Sequence, residues 1–296
     1  MTLAQLNRYL DKLENNTITI DNGNPELDRL LGLPFYCEWT YGRRLSTQDC
    51  CFNHTIGLPT KNNKQYPLFD YEQNIVSLLE QQDEGPTNIK NKHLMVLKST
   101  GLGITELTLR YMVYLATRDN QLTNSTMCVV TGPRIDLAEN LIQRIKTLFE
   151  RDISINSSEQ ITLPETRSTI AQVNGITIMA FPSHHLSSMR GLENVSFIFL
   201  DEAAFFPPGQ QQEAIDVSHR YIGKSDPYLM LVSTPNMPGD LMDTIKQESE
   251  SECIYHRIYL DYTYGLDKIY TKEEINRAQA SVSFAREYDL KFTGGR

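Results

Sequence analysis

Lys92-His93-Leu94-Met95-Val96-Leu97 runs straight into Lys98-Ser99-Thr100-Gly101-Leu102-Gly103-Ile104-Thr105, and the fold can be read outward from this stretch. The first six residues have the length and apolar content of a buried strand. The next eight hold two glycines, and helical periodicity follows over 105–117. Strand, glycine loop and helix in succession let backbone N–H groups and a helix N-terminus converge on an anion. The usual phosphate-binding pattern is G-x-x-x-x-G-K-[ST]. Here Gly103 and Thr105 hold the second glycine and the hydroxyl positions, Ile104 stands where the lysine belongs, and Lys98 replaces the first glycine. Two readings fit the stretch alone. One is a strand-to-helix turn with a solvated lysine. The other is a phosphate loop whose cation is anchored ahead of the glycines and folds over to reach the β- and γ-phosphates from the opposite side. In the second reading Ser99, Thr100, Gly101, Leu102 and Ile104 complete the cradle, and Thr105 coordinates Mg²⁺.

On either side, short apolar runs alternate with amphipathic segments. Helices are predicted over 3–13, 71–80, 105–117, 135–149 and 210–220, and strands over 92–97, 127–131, 195–200, 228–232 and 252–260. A hairpin is predicted over 169–173 and 176–181, because Asn174-Gly175 supplies the positive-φ pair of a tight turn. The segment 271–292 carries helical pattern. Strands alternating with helices of this length imply right-handed βαβ crossovers and a mostly parallel sheet sandwiched by helices. The predicted organisation is a loop-rich extension over 1–65, an α/β core over 66–260 and a small helical lid over 261–296.

The predicted strand 195–200 ends in Asp201-Glu202, and open α/β sheets bind ligands at the C-terminal ends of their strands. Asp201 is expected to hold the Mg²⁺ shell and Glu202 to polarise an attacking water. A helix cap would explain one acid here, but not two following a glycine loop. The strand 228–232 ends in Ser233-Thr234-Pro235-Asn236, whose hydroxyls and amide face the same crevice, unless they only form a turn before the proline.

The chain's 296 residues, 40% hydrophobic and 22% charged, suit a folded core of one large or two small domains. No apolar run approaches the ~18 residues of a membrane span, and five scattered cysteines speak against a disulfide scaffold. The net charge of −9 disfavours wrapping nucleic acid over the whole surface while leaving room for a local basic track. Cys37, Cys50, Cys51 and His54 offer zinc-type donors, but the C-x2-C pairing of a structural site is missing, and buried small apolar residues are the better account.

Taken in order, these motifs resemble the ATPase part of the viral terminase large subunits, the motors that pump DNA into capsids, from about residue 66 to 296. Lys98 to Thr105 is similar to the family's deviant phosphate loop with lysine at its start. Asp201-Glu202-Ala203-Ala204-Phe205-Phe206 is similar to its Walker B segment, and Ser233-Thr234, with Asn236, to its coupling motif. Gln73, in Phe69-Asp70-Tyr71-Glu72-Gln73, resembles an adenine-reading glutamine. Arg190-Gly191 resembles the pair whose arginine reaches a neighbouring subunit's site, with a loop-anchoring salt bridge as the alternative. Thr131-Gly132-Pro133-Arg134 resembles the motif after the second strand, where Arg134 faces DNA or phosphate. Phe284-Ala285-Arg286-Glu287-Tyr288 resembles the lid.

The resemblance implies a RecA-like (ASCE) P-loop NTPase fold and Mg²⁺-dependent ATP hydrolysis coupled to translocation of double-stranded DNA. It implies a homo-oligomeric ring, a portal and a small terminase subunit as partners, and the cytoplasm of the infected or provirus-carrying host as location. Thr100 stands where many relatives carry arginine, which excludes a cis arginine there. The chain stops where the family's nuclease would begin, and no acidic cluster for two-metal hydrolysis follows residue 261, so either a fragment containing only the motor or a natural protein that lacks the nuclease is expected. A superfamily 2-like helicase shares Gln73, the loop and the acid pair, but needs a second RecA-like domain for which the residues after Asp201 leave no room. A non-catalytic P-loop scaffold is the remaining alternative.

Overall fold

The computed structural model describes residues 69–80, 92–118, 122–150, 168–173 and 175–294. The predicted extension over 1–65, its helix at 3–13, the Cys37, Cys50, Cys51 and His54 group, and Asn174 lie outside them.

Helix α1 (Asp70–Glu80) presents Tyr71, Ile75, Val76 and Leu79 to the interior at helical spacing, and Glu72 Oε2 caps its start by accepting the Phe69 N–H at 2.9 Å. Strand β1 (His93–Lys98) is buried along its whole length. Then follow α2 (Ile104–Arg118), β2 (Thr126–Thr131), α3 (Ile135–Glu150), β3 (Ile170–Val173) and β4 (Ile176–Pro182). Gly175 takes φ +72° between β3 and β4, as a tight hairpin turn requires. A 3₁₀ stretch (Ser183–Gly191) leads to β5 (Val195–Asp201), a short turn (Ala203–Phe205), α4 (Pro208–His219), α5 (Ile222–Ser225) and β6 (Tyr228–Ser233). The chain closes with α6 (Leu241–Gln247), β7 (His256–Leu260), α7 (Lys272–Ala278) and α8 (Phe284–Glu287).

Among the described residues seven strands form one sheet in the order β3-β4-β2-β5-β6-β1-β7, parallel throughout except for the β3–β4 hairpin. Parallel strands covered on both faces need continuous apolar sequence, which β1, β5 and β6 supply. Side-chain alternation sorts them into two cores. Leu94, Val96, Phe197, Phe199, Met230 and Val232 pack under α1, α2 and α3. Met95, Leu97, Ile198, Leu200, Leu229 and Leu231 pack under α4, α6 and the 3₁₀ stretch.

Two predicted elements differ. The last strand begins at His256, not 252, because Glu252 and Cys253 both donate their N–H to Ser249 O and so close a turn. The helical pattern over 271–292 breaks into α7 and α8. Between them Ser281 accepts from the Ser283 N–H, and a side-chain hydroxyl competing for backbone donors interrupts a helix.

Candidate functional site

Because β6 lies between β1 and β5, three strand ends meet in one crevice, with Leu97 opposite Ser233 and Asp201 opposite Val232. Alternation puts Lys98 and Asp201 on the face covered by α2 and would turn Glu202 to the other face. Glu202 instead takes a left-handed backbone, φ +53° and ψ +44°, which costs a non-glycine residue about 1–2 kcal/mol. The turn swings its carboxylate back over the end of β6.

There Lys98 Nζ donates to Glu202 Oε1 at 2.7 Å. The other carboxylate oxygen, Oε2, accepts the Ser233 hydroxyl and the Thr234 N–H, each at 3.3 Å. Ser233 Oγ in turn accepts the Ala204 N–H at 3.2 Å, and Asn236 Nδ2 donates to Ala204 O at 3.0 Å. One water-accessible carboxylate is thus held by the loop lysine on one side and the tip of β6 on the other. Gln211, which no local motif announces, ties the same turn down by donating to Ala204 O and Phe206 O and accepting from the Leu241 N–H.

Asp201 is buried, and Thr105 Oγ1 donates to its Oδ1 at 2.7 Å. Desolvation, helped by the neighbouring charge of Glu202, pushes the Asp201 carboxyl up to about 6, against the Thr105 hydrogen bond and the fields of Lys98 and Arg144. A hydroxyl and a carboxylate side by side are the hard oxygen donors that suit Mg²⁺, so these residues fit that ion.

The loop has the shape expected of a cradle. Gly101 and Gly103 take φ +79° and +76°. Among the described residues no backbone acceptor takes the N–H of Gly101, Leu102 or Gly103, and Ile104 and Thr105 open α2, where N–H groups are unpaired by construction of the helix. The first loop residues are engaged from the C-terminal side. Ser99 donates its N–H to Leu260 O at 2.7 Å, and Thr100 donates its N–H to Glu287 O at 2.8 Å. Tyr270 donates its hydroxyl to Thr100 O. Tyr71 on α1 donates to Leu102 O at 3.0 Å, which fastens the helix carrying Gln73 to the loop.

The predicted residues therefore separate. Lys98, Ser99, Thr100, Gly101, Leu102, Gly103, Ile104, Thr105, Asp201, Glu202, Ser233, Thr234 and Asn236 come together, and Gln73 sits on a helix pinned to the loop. Arg190 does not join them. It is exposed at the end of the 3₁₀ stretch, a few positions before the first residue of β5, next to Met189, whose carbonyl accepts the Tyr221 hydroxyl beyond α4. That is the opposite end of β5 from Asp201. Arg134 is exposed after β2 and paired with Asp136. The contacts of Tyr270 and of the 284–288 segment had no local signal.

The molecule has known likenesses. The HK97 bacteriophage large terminase superimposes with a TM-score of 0.60 at 13% identity, over 85% of this chain and 55% of that one. The large terminase of a thermophilic bacteriophage, in complex with ATP-gamma-S, gives 0.56 at 13% over 77% and 53%. A variant of the Thermus phage P74-26 large terminase ATPase domain gives 0.52 at 14% over 73% and 97%. The chain thus spans about half of the first two terminases and nearly all of the P74-26 domain, and at these identities what is shared is the fold. No curated protein sequence matches the chain. The family model of the DEAD/DEAH box helicases matches residues 80–242, which take in the glycine loop, the acid pair and the Ser-Thr strand tip. That match spans more than half of the sequence, and the chain, a P-loop NTPase by fold, belongs to the DEAD/DEAH box helicase family.

Proposed function

We propose that the chain is the ATP-hydrolysing motor domain of a viral genome-packaging terminase, with 66–260 as its core and 261–296 as its lid. The observation that carries this reading is the closure of Lys98, Ser233 and Thr234 on the single carboxylate of Glu202. A turn with a solvated lysine gives no reason for that convergence, nor for a left-handed Glu202.

In this reading Lys98 and the amides of Gly101 to Thr105 bind the β- and γ-phosphates, with Ser99 and Thr100 at the rim and Gln73 reading the base. Thr105 and Asp201 would hold Mg²⁺, which when bound neutralises phosphate charge. Arrival of the γ-phosphate gives the Lys98 ammonium a stronger anionic partner than Glu202. The freed carboxylate then orients a water and takes its proton as the water oxygen attacks the γ-phosphorus and the bond to the bridging oxygen breaks. Ser233 and Thr234 hold Glu202 throughout, so a change in that carboxylate is felt at Asn236 and along β6. Arg190, remote from the crevice of its own subunit, acts in a neighbour's site in a ring. Double-stranded DNA, a portal and a small terminase subunit are the proposed partners, in the host cytoplasm. No described helix is long and apolar enough to cross a membrane.

A helicase or nucleic-acid remodeller is the second reading, favoured by the family match. ATP turnover by wild type and Lys98→Ala, with and without double-stranded DNA, single-stranded DNA or RNA, tests both. The motor reading expects turnover that depends on Lys98 and rises with double-stranded DNA. Stimulation by single strands or RNA alone, with strand unwinding, would replace it by the helicase reading. Undiminished turnover by Lys98→Ala would remove the lysine from its role, and absence of nucleotide binding would leave a scaffold.

A further inference from the structure

We infer that Arg286 is a cis-acting arginine for the γ-phosphate, supplied from the C-terminal segment; the inference rests on the ATPase reading above and deepens it. Two contacts place the 286–287 dipeptide across the mouth of the crevice. On the loop side, Glu287 O accepts the Thr100 N–H at 2.8 Å and the Ser99 hydroxyl at 3.2 Å. On the acid side, the Arg286 guanidinium carbon lies 5.9 Å from the centre of the Phe205 ring. Phe205 belongs to the turn after Glu202, and its N–H donates to Glu202 O at 2.9 Å. Arg286 is therefore one backbone step from the residue that holds the third loop position and one short turn from the carboxylate that Lys98 holds. In this inference a γ-phosphate held at the loop is met by the guanidinium as well as by the Lys98 ammonium.

The side chain is also held at one nitrogen. Nε donates to Glu287 Oε1 at 3.0 Å, while neither Nη group has an acceptor among the described residues. A guanidinium fixed through Nε presents the two Nη groups as a planar fork, the geometry that matches two oxygens of a phosphate. Its neighbours keep it there. Phe284 and Tyr288 stack at 5.2 Å, Tyr288 meets Tyr270 at 5.8 Å, and Tyr262 donates its N–H to Tyr288 O at 3.0 Å. Further along, Thr293 donates its N–H to Asn236 O at 3.2 Å, so the segment that bears Arg286 touches the strand tip that holds Glu202 as well. Arg190 sits at the far end of β5 and answers to a different subunit.

The test compares full-length wild type, Arg286→Ala and Arg286→Lys for binding of ADP and ATP-gamma-S and for ATP turnover. Arg286→Ala is expected to bind ADP as wild type does, to bind ATP-gamma-S about tenfold more weakly, and to lose on the order of 10²-fold in kcat. Arg286→Lys is expected to recover most of the ATP-gamma-S affinity and little of the rate, because an ammonium keeps the charge but not the fork. Mixing Arg286→Ala with Lys98→Ala is expected to restore nothing, since both groups serve the same subunit's nucleotide. If Arg286→Ala does not fold, Arg286→Gln carries the same comparison. Turnover within about twofold of wild type, equal weakening of ADP and ATP-gamma-S, or restored activity in the mixture would each overturn the cis assignment. A wild type that binds ATP-gamma-S but hydrolyses no ATP would instead overturn the ATPase reading beneath it.

Discussion

The ammonium of Lys98 and the carboxylate of Glu202 meet at 2.7 Å over the end of a strand that belongs to neither. With β6 between β1 and β5, the two backbones stand two strand spacings apart, roughly 10 Å. A lysine and a glutamate together span that gap and a shorter pair would not. In the proposed ATPase, that reach is what lets a lysine at the start of the loop take the part usually given to one behind the second glycine. On the proposed function, Lys98→Ala removes both the phosphate-neutralising charge and the resting partner of Glu202, and kcat/KM should fall on the order of 10²–10³-fold. Glu202→Gln keeps the Ser233 and Thr234 contacts but cannot take a proton. It should bind ATP at least as well as wild type while kcat falls on the order of 10²–10⁴-fold. Steady-state turnover beside equilibrium binding of ATP-gamma-S separates the two.

Ser233→Ala should cost stability as well as rate. The Ser233 hydroxyl is fully buried and accepts the Ala204 N–H, so its removal strands a buried donor, worth about 1–3 kcal/mol. Urea denaturation should show a lower midpoint with an unchanged slope. An unchanged midpoint would mean that the Ala204 N–H finds another acceptor.

Acid should weaken the fold from the opposite end of the sheet. His93 is buried at the start of β1 with neither ring nitrogen hydrogen-bonded among the described residues, beside Tyr255, to which His219 is bonded at 2.7 Å. Desolvation holds the His93 imidazole below its ordinary 6.5, outweighing the pull of Asp226, and His219 is lowered for the same reason. The unfolded chain then binds protons at these histidines that the folded chain refuses, so their contribution to stability falls as pH drops below about 6.5 and stops falling once they are protonated in the folded state as well. Denaturation midpoints of wild type and His93→Leu between about pH 7.5 and 5 should diverge, with the variant showing the flatter dependence. Parallel curves would assign the effect elsewhere.

Gly265 has no room for a side chain. A methyl group there would stand 2.6 and 2.8 Å from carbons of the Tyr270 ring and 2.9 Å from Leu102 Cδ2. Gly265→Ala should therefore push Tyr270 off Thr100 and destabilise the protein by about 1–3 kcal/mol. Thermal melting reads the stability, and nucleotide affinity reads the loosened loop. A variant that melts with wild type would show that Tyr270 can move without cost.

Arg190 should matter only where subunits meet. Wild-type turnover per subunit is expected to rise with protein concentration, and that of Arg190→Ala to stay flat. Mixing Arg190→Ala with Lys98→Ala should restore part of the activity, because an empty subunit still offers its arginine to a neighbour. Specific activity constant with concentration in the wild type would speak against completion between subunits.

Most of the sheet and the acid–loop pair are legible in the sequence, since apolar runs, glycines and strand-end carboxylates are local signals. The strands 92–97, 195–200 and 228–232 are realised within a residue as β1, β5 and β6. The C-terminal segment reads as one long helical pattern, yet it is broken, because Ser281 and Ser283 bond each other across the break, a contact that periodicity does not register. The role of Tyr270 has no sequence signal either. Its partners Ser99 and Thr100 lie about 170 positions earlier, and nothing in the residues 267–273 marks them as a cover for a glycine loop.

Local chemistry was enough to set the strand and helix order, the phosphate-type loop with its early lysine, and the placing of Asp201 and Glu202 at a strand's end. These follow from burial and backbone geometry acting over a few residues. The folded chain as a whole was needed for β6 to separate β1 from β5, for Glu202 to turn back toward Lys98, and for Arg286 to arrive at the mouth of the crevice while Arg190 stayed at its far end. Strand order and long-range closure depend on how two apolar faces of a sheet are covered at once, a balance to which every segment contributes and which no short stretch of sequence encodes.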